Sequence, residues 1–457
     1  MYAGTGSSGA CSALPAASRP EASPARPVVR ATAPHMHIGY LIQDFHPEVG
    51  AGPARALEMS RRWQEHGASV TVLTGMPNRR LPGRGDGAID QRYRGHAFVR
   101  ESVDGITVLR SWLFATDRRG FALTVLNHAT FAASAFLHAL ARRPPINVLI
   151  ASSPPFLPLL SGVAVARMLD APLVVELRDL WPDYLEQMGV LRSRLTLGPL
   201  YGLELFLLRA AALNVVVSES FRSRVVKKGV SSHRVHVIPN GVDLGEYQAA
   251  VDSPPIDALR QTAGTFTVGY LGTFGRGQAL ATVVEAAAIV ARSDPTIRFV
   301  LAGAGPDEPA VAASVLATRA ANVAVSPPIT RDQTRAFYNS CDACLVPLAP
   351  IPVFQETVPS KIFEIMACER PVIASVAGEA AAILQQSGAG TCVPPGDAEA
   401  LAAAVLDMRE MSPTERRALG ARGRDYVARH YDRRVLADRY YELLQDVCTP
   451  DSGWDAQ

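Results

Sequence analysis

"FTVGYLGTFGRGQALATVVEAAAIVARSDPTIRFVLAG", residues 266–303, places two short apolar runs on either side of an alanine-rich stretch with helical spacing. The first run ends in a glycine-punctuated turn, "GTFGRG", and the second ends again in glycine. Strand, tight turn, helix and strand in this order make a βαβ unit, whose strands lie parallel because the helix must cross back over the sheet. The runs are apolar throughout rather than alternating, as strands covered on both faces must be.

The same grammar continues downstream in "VAVSPP", "ACLVPL", "PVIASV" and "GTCVPP", and upstream in "HIGYLIQ", "SVTVLTG", "ITVLRSW", "NVLIAS", "PLVVELR", "NVVVSES" and "RVHVIPN". Between the two series, "NGVDLGEYQAAVDSPP" replaces periodic structure with Asn, Gly, Asp and paired prolines. The predicted fold class is therefore α/β, with two Rossmann-like doubly wound domains joined by a short hinge. The expected boundaries are a disordered N-terminal extension over 1–35, a first domain over 36–243, a linker over 244–263, a second domain over 264–431, a helix over 432–447 that could pack on either lobe, and a tail over 448–457. Ligands of such sheets bind beyond the carboxyl ends of the strands, so a two-substrate site belongs in the cleft between the domains.

Composition narrows the function. The 457 residues are 48% hydrophobic and 19% charged, with a formal net charge of +2, which provides no bulk attraction to nucleic acid. Six cysteines at 11, 341, 344, 368, 392 and 448 form no disulfide framework, and the Cys341/Cys344 pair lies where a helix passes into a buried strand, so packing is its expected role. This cysteine usage suits a cytoplasmic location. The apolar stretch Gly120 to Arg143 carries Asn127, His128 and His138 and is expected to be a packed helix, with a membrane-touching surface as the alternative. Arg79, Arg80 and Arg84 make a basic loop that is either solvated or in peripheral contact with an anionic membrane surface.

Lysine occurs only at 227, 228 and 361, against a background of arginine. Lys361 stands within "QETVPSKIFEIMA", residues 355–367, between Glu356 and Glu364. Pro359 suits the first turn of a helix. Lys361 and the helix N-terminus together suit a diphosphate, while two carboxylates beside it suit hydroxyl groups on either side of that diphosphate. A diphosphate flanked by hydroxylated rings is a nucleotide-sugar. A second anion- or sugar-facing turn is "GAGPAR", where Gly50 and Gly52 let the backbone come close to a ligand.

The spacing of Glu356 and Glu364, followed by "IMACERPVIAS", resembles the signature of the family-4 retaining glycosyltransferases, whose GT-B fold has two facing Rossmann-like domains. The resemblance runs over about Met36 to Val447 and includes "VGAGPARALEMSRRWQEHGASVTVLTG", "ELRDLWPD", "VIPNGVDLGEY", "GYLGTFGRGQAL" and "FVLAGAGPDE" in the family's order. It implies that Glu364 holds the ribose hydroxyls, Glu356 contacts the donor sugar and Lys361 meets the diphosphate. Gly272, Thr273 and Gly275 would line the donor site.

The chain departs from the family pattern in three places. Thr273 and Gln278 stand where many members carry the Arg and Lys of a diphosphate pair, so Arg276 with Lys361 would have to supply the charge. Arg178 and Asp179 stand where many carry His after the strand; Asp179 would orient the acceptor hydroxyl or take its proton, or else cap its loop. Glu369 replaces a helix-ending glycine, where a left-handed cap would cost about 1–2 kcal/mol, so another geometry is expected.

The departures are closest to the branch that transfers amino sugars or deoxy sugars in surface-polysaccharide assembly. The resemblance implies a retaining hexosyltransferase that takes a UDP-linked sugar to a hydroxyl acceptor, lipid-linked or small. No cofactor is implied, and with no Asp-x-Asp in the chain no metal site is expected. The rival readings are a nucleotide-sugar 2-epimerase, which would alter donor without acceptor, and a silent nucleotide-sugar-binding subunit.

Overall fold

The computed structural model describes Met1 and residues 35–48, 50–78, 89–116, 120–248 and 264–449. The expected N-terminal extension, the basic loop with Arg79, Arg80 and Arg84, most of the linker and nearly all of the tail lie outside these residues.

Two sheets organise the chain. The first contains β1 (His37–Leu41), β2 (Ser69–Gly75), β3 (Phe98–Val103), β4 (Ile106–Ser111), β5 (Val148–Ser153), β6 (Leu173–Leu177), β7 (Leu213–Val216) and β8 (Val235–Val237), in the order β3-β4-β2-β1-β5-β6-β7-β8. The second contains β9 (Phe266–Leu271), β10 (Ile297–Ala302), β11 (Val323–Ser326), β12 (Ala343–Pro347), β13 (Val372–Ser375) and β14 (Gly390–Val393), in the order β11-β10-β9-β12-β13-β14. Every pairing is parallel except β3 with β4. The strand order reverses between β1 and β5 and between β9 and β12, which fixes where each lobe can open a crevice for a ligand.

All thirteen expected strands form, and β3 is the addition. Its sequence "FVRESV" is half-exposed and too charged to resemble a buried parallel strand. The signal lay in the turn: Asp104 and Gly105 both have positive φ (53° and 81°), the requirement of a two-residue hairpin, and Asp-Gly is a favoured dipeptide there.

A buried charged network locks the first lobe. Arg55, on the helix Ala51–Glu65, donates from Nε to Glu176 Oε1 at 3.0 Å and from its fork to the carbonyls of Ile238 and Pro239. Glu176 on β6 also accepts from the hydroxyls of Tyr40 (2.7 Å) and Ser152 (2.8 Å). One carboxylate thus ties β1, β5, β6, the first helix and the start of the hinge. Burial works against its charge, while Arg55 in particular holds its carboxyl below the usual range.

The last helix, Arg433–Cys448, packs on the first lobe although it follows the second. Leu436, Ala437, Tyr440, Leu444 and Val447 share a core with Tyr40 and Trp63, and Trp63 Nε1 donates to the Ala437 carbonyl at 3.0 Å. The chain therefore crosses between lobes twice, and the crossings are paired. Val242 bridges Asp432, and Arg433 donates to the carbonyls of Asn240 and Gly241. Gly241 has φ 61°, and a Cβ there would meet the Tyr431 carbonyl at 2.6 Å, so this crossing needs glycine. Glu58 of the first helix adds ion pairs to Arg331 and Arg433, and Arg331 also pairs with Glu246 at 2.7 Å.

At Glu369 the expectation of another geometry fails: φ is 54°, the left-handed conformation itself. The Glu369 and Arg370 amides donate to the carbonyls of Met366 (3.0 Å) and Ile365 (3.2 Å), closing the helix as glycine would.

Arg55→Ala leaves Glu176 buried without its counter-charge. The variant is expected to lose about 3–5 kcal/mol of stability, measured by chemical denaturation. A loss below about 1 kcal/mol would show that the network is dispensable.

Candidate functional site

The donor side of the cleft is built at the switch point of the second sheet. β9 ends at Leu271 and the chain turns at Gly272 (φ 152°), where a Cβ would fall 2.6 Å from Lys361 Nζ. Gly303, after β10, is equally constrained: a Cβ there would collide with the Gly272 carbonyl at 1.8 Å. Two glycines at the ends of adjacent strands let the loop and the lysine share one small space.

Lys361 opens the helix Lys361–Ala367. Its Nζ lies 4.1 Å from the centroid of the Tyr270 ring and donates to Gln278 Oε1 at 3.4 Å. It forms no ion pair among the described residues. Burial pushes the ammonium down to about 7, with Glu364 pulling the other way. The residue is partly rather than fully buried. A half-buried cation held by a π-face and an amide oxygen is arranged to receive an anion.

The helix itself is short. It begins two residues after Pro359 and is seven residues long. The amides of Ile362, Phe363 and Glu364 already bond the carbonyls of Pro359 and Ser360. The ammonium is thus the main positive group here.

Glu364 lies one turn on and accepts from the Tyr338 hydroxyl at 3.0 Å. Tyr338 is buried on the helix Arg331–Asn339 and fixes the carboxylate, leaving the other oxygen for a ligand hydroxyl. Burial raises the Glu364 carboxyl above its usual range.

Arg276 stands exposed on the turn Arg276–Gln278 that follows Gly275. Gln278, two residues on, is the group Lys361 meets, and it also accepts from the Tyr270 hydroxyl at 3.4 Å. Thr273 is exposed, and its carbonyl accepts from the same hydroxyl at 2.7 Å.

Glu356 is tied to the opposite lobe. Both its oxygens accept from the fork of Arg224, Oε2 at 3.1 Å from Nε and Oε1 from Nη2. Arg224 belongs to the helix Glu219–Lys227 of the first lobe. Behind it Asp183 lies 3.4 Å from Nη1 and 2.5 Å from Lys228 Nζ, and Lys228 also donates to buried Glu204 at 2.6 Å. Two further contacts cross the cleft: Glu379 accepts from the amides of Glu219 (3.0 Å) and Ser220 (2.9 Å), and Ser218 Oγ donates to the Glu356 carbonyl at 3.1 Å. A carboxylate of one lobe caps a helix of the other, which favours both electrostatically.

On the first lobe, Gly50 precedes the helix Ala51–Glu65 and Gly52 lies in its first turn. Arg178 covers Gly52 so closely that a Cβ there would fall 2.2 Å from Nη1, and it donates to Ser152 Oγ at 3.1 Å and to the Pro154 carbonyl at 3.2 Å. Asp179 follows β6 and caps no helix N–H among the described residues. Burial raises its carboxyl to about 6, with Arg178 opposing. A carboxylate poised there can take a proton near neutral pH. Among the described residues no group of three His, Cys, Asp or Glu side chains converges as a metal site.

Tyr270, Tyr338 and Arg224 were not foreseen. Tyr270 could be suspected from its place at the end of a strand before Gly272, but Tyr338 and Arg224 meet their partners only through the tertiary fold.

Comparison with known proteins agrees with this geometry. Residues 50–241 match the family described as glycosyl transferase 4-like domain, and residues 265–410 match glycosyl transferases group 1. The chain is a group 1, family-4-like glycosyltransferase with the GT-B fold. No curated protein matches its sequence. Among solved structures it is similar to sucrose-phosphate synthase from Thermosynechococcus elongatus, with 18% identity over 90% of this chain and 99% of that one and a TM-score of 0.70. It is similar to HepE of Anabaena, solved with UDP and glucose, at 18% identity over 90% and 99% of the chains (TM-score 0.64). It is also similar to a glycosyltransferase from Rickettsia africae at 12% identity over 92% and 100% (TM-score 0.60). At these identities the likeness is one of fold.

If Arg224 places Glu356 against the donor sugar, Arg224→Ala should lower kcat/KM for the donor about tenfold, within the range for losing a charged contact. Affinity for the free nucleoside diphosphate should stay unchanged. Equal loss for both ligands, by titration calorimetry, would assign Arg224 to lobe closure alone.

Proposed function

We propose that this glycosyltransferase moves a hexose, N-acetylhexosamine or deoxy sugar from a UDP-linked donor to a hydroxyl of a lipid-linked glycan or small molecule, with retention at the anomeric carbon. The observation that carries the proposal is the Lys361 ammonium, half-buried at the switch point with no ion pair among the described residues, and the carboxylate of Glu364 one turn away. A nucleotide-sugar satisfies both groups at once. HepE, of the same fold, has been solved with UDP and with UDP-glucose, which supports uridine as the base.

In the reaction the bond between the anomeric carbon and the diphosphate oxygen breaks while the acceptor oxygen bonds to the same face of the sugar. Negative charge builds on the leaving diphosphate, and Lys361 stabilises it there in a site of low dielectric. Arg276, exposed on the adjoining turn, adds the second positive charge on the diphosphate. Glu364 holds the ribose hydroxyls, Glu356 meets the sugar and Gly50 and Gly52 allow close approach from the first lobe. The acceptor proton passes to Asp179 or to the departing phosphate. No step calls on a metal ion. We place the reaction in the cytoplasm, consistent with the unpaired cysteines at 341, 344, 368, 392 and 448. The pathway that fits is the transfer of amino or deoxy sugars in surface-polysaccharide assembly.

With a nucleotide-sugar identified by thermal shift, Glu364→Ala and Lys361→Ala should each lower kcat/KM at least about 100-fold in folded protein, the scale of losing a charge-stabilising group. The product should keep the anomeric configuration of the donor by NMR. Parent-like turnover would refute the site, an inverted product would refute the mechanism, and donor consumed without acceptor would favour an epimerase.

A further inference from the structure

The helix Phe121–Arg142 is inverted relative to a surface helix of a soluble domain. Its outward stripe, Ala122, Leu126, Ala129, Ala133, Leu137 and Leu140, is wholly apolar. Its inward face carries Asn127, His128, Ser134 and His138. These polar groups have partners inside: Asn127 bonds Gln43 and the Phe114 carbonyl at 2.7 Å, and His138 bonds Ser111 at 3.2 Å. A solvated helix has the opposite polarity. Leu126, Leu137 and Leu140 are 43%, 53% and 40% exposed.

The apolar surface continues across the layer. The helices Pro158–Leu169 and Arg194–Ala210 pack successively beside the first. They expose Leu160 and, on the third helix, Leu195 and Phe206. The loop after β4 adds Trp112 and Phe114, both exposed and both bonded through their backbone to the first helix. Although the first helix is long and apolar enough to cross a membrane, Phe131, Ala135 and Ala139 bury it against the first lobe. It therefore offers a face rather than a span.

Charge identifies what covers this face. The three helices together contain one carboxylate, Glu204, and it is buried against Lys228. Their exposed charges are all arginine, and Asp170, one residue past the second helix, is the acidic exception at its border. Because the strands they connect are parallel, the three helices run the same way, and Arg142, Arg143, Arg167 and Arg209 line the rim away from the cleft. Cations at helix C-termini are common, but the helix dipole does not explain three helices that present leucines outward and expose no carboxylate of their own.

We infer that this three-helix face of the first lobe docks on an anionic lipid surface, the leucines and Trp112 entering the interface and the arginine rim meeting the headgroups. It deepens the proposed function by favouring a lipid-linked acceptor. Docking and sugar transfer are nevertheless measured apart, since vesicle binding needs no donor.

The test is flotation of the full-length chain with vesicles of phosphatidylcholine alone or with one-third phosphatidylglycerol. The parent protein should float with the anionic vesicles, and binding should fall at least about tenfold on neutral vesicles or in high salt. Leu126→Gln/Leu137→Gln/Leu140→Gln and Arg142→Glu/Arg143→Glu/Arg167→Glu should each lose about tenfold with unchanged melting and unchanged UDP binding. No flotation of the parent, or parent-like flotation of the leucine variant, overturns the inference. A concentration-dependent dimer that the leucine variant abolishes, without vesicle binding, would assign the face to self-association instead.

Discussion

The chemistry of this molecule rests on one incompletely compensated cation. Lys361 is held in the second lobe by the face of Tyr270 and the amide oxygen of Gln278, neither of which carries a full negative charge. The cost appears in the ammonium itself, which burial pushes down to about 7. The surrounding geometry serves this arrangement: Gly272 and Gly303 clear the space, the reversal of strand order between β9 and β12 opens it, and Gln278 leaves it without a second cation. An arriving diphosphate would supply the missing charge.

The opposing lobe is tied to this centre by paired charges of unequal burial. Glu176 and Arg55 are deep and hold the first lobe together, whereas Arg224 and Glu356 are partly exposed and meet across the cleft. A partly exposed pair is worth little to stability but is well placed to be rearranged when a sugar arrives. At the hinge, Glu58 binds Arg331 and Arg433 on two different elements of the returning chain. The hinge is thus specified by electrostatics as well as by Gly241.

The fold was legible because its signals are local. Apolar runs of strand length, alanine-rich crossovers and glycines at strand ends recur at short range, and a doubly wound sheet follows from their alternation. β3 escaped because a half-exposed edge strand lacks that continuous apolar run, although "VDGI" marked its hairpin. Lys361, Glu364 and Gly272 could be placed from motif and spacing. Tyr338, Arg224 and the partner of Gln278 could not, because each acts across at least 26 residues of chain, and across 132 for Arg224 with Glu356. Arg276 stands exposed on its turn, while Gln278 takes the place beside the lysine, a contact that nearness in sequence does not reveal. Glu369 takes the left-handed conformation against a backbone preference of about 1–2 kcal/mol, with its own amide and that of Arg370 closing the helix end.

The most direct test of the account is proton uptake on binding UDP. At pH 8 the empty site holds Lys361 mostly neutral, since its folded value is about 7. A bound diphosphate favours the ammonium and must draw a proton from solution. Titration calorimetry at pH 8 in two buffers of different ionisation enthalpy should give an uptake of about one proton per UDP, falling to near zero in Lys361→Gln. Binding of UDP with no proton uptake by the parent protein would contradict the central role given to Lys361.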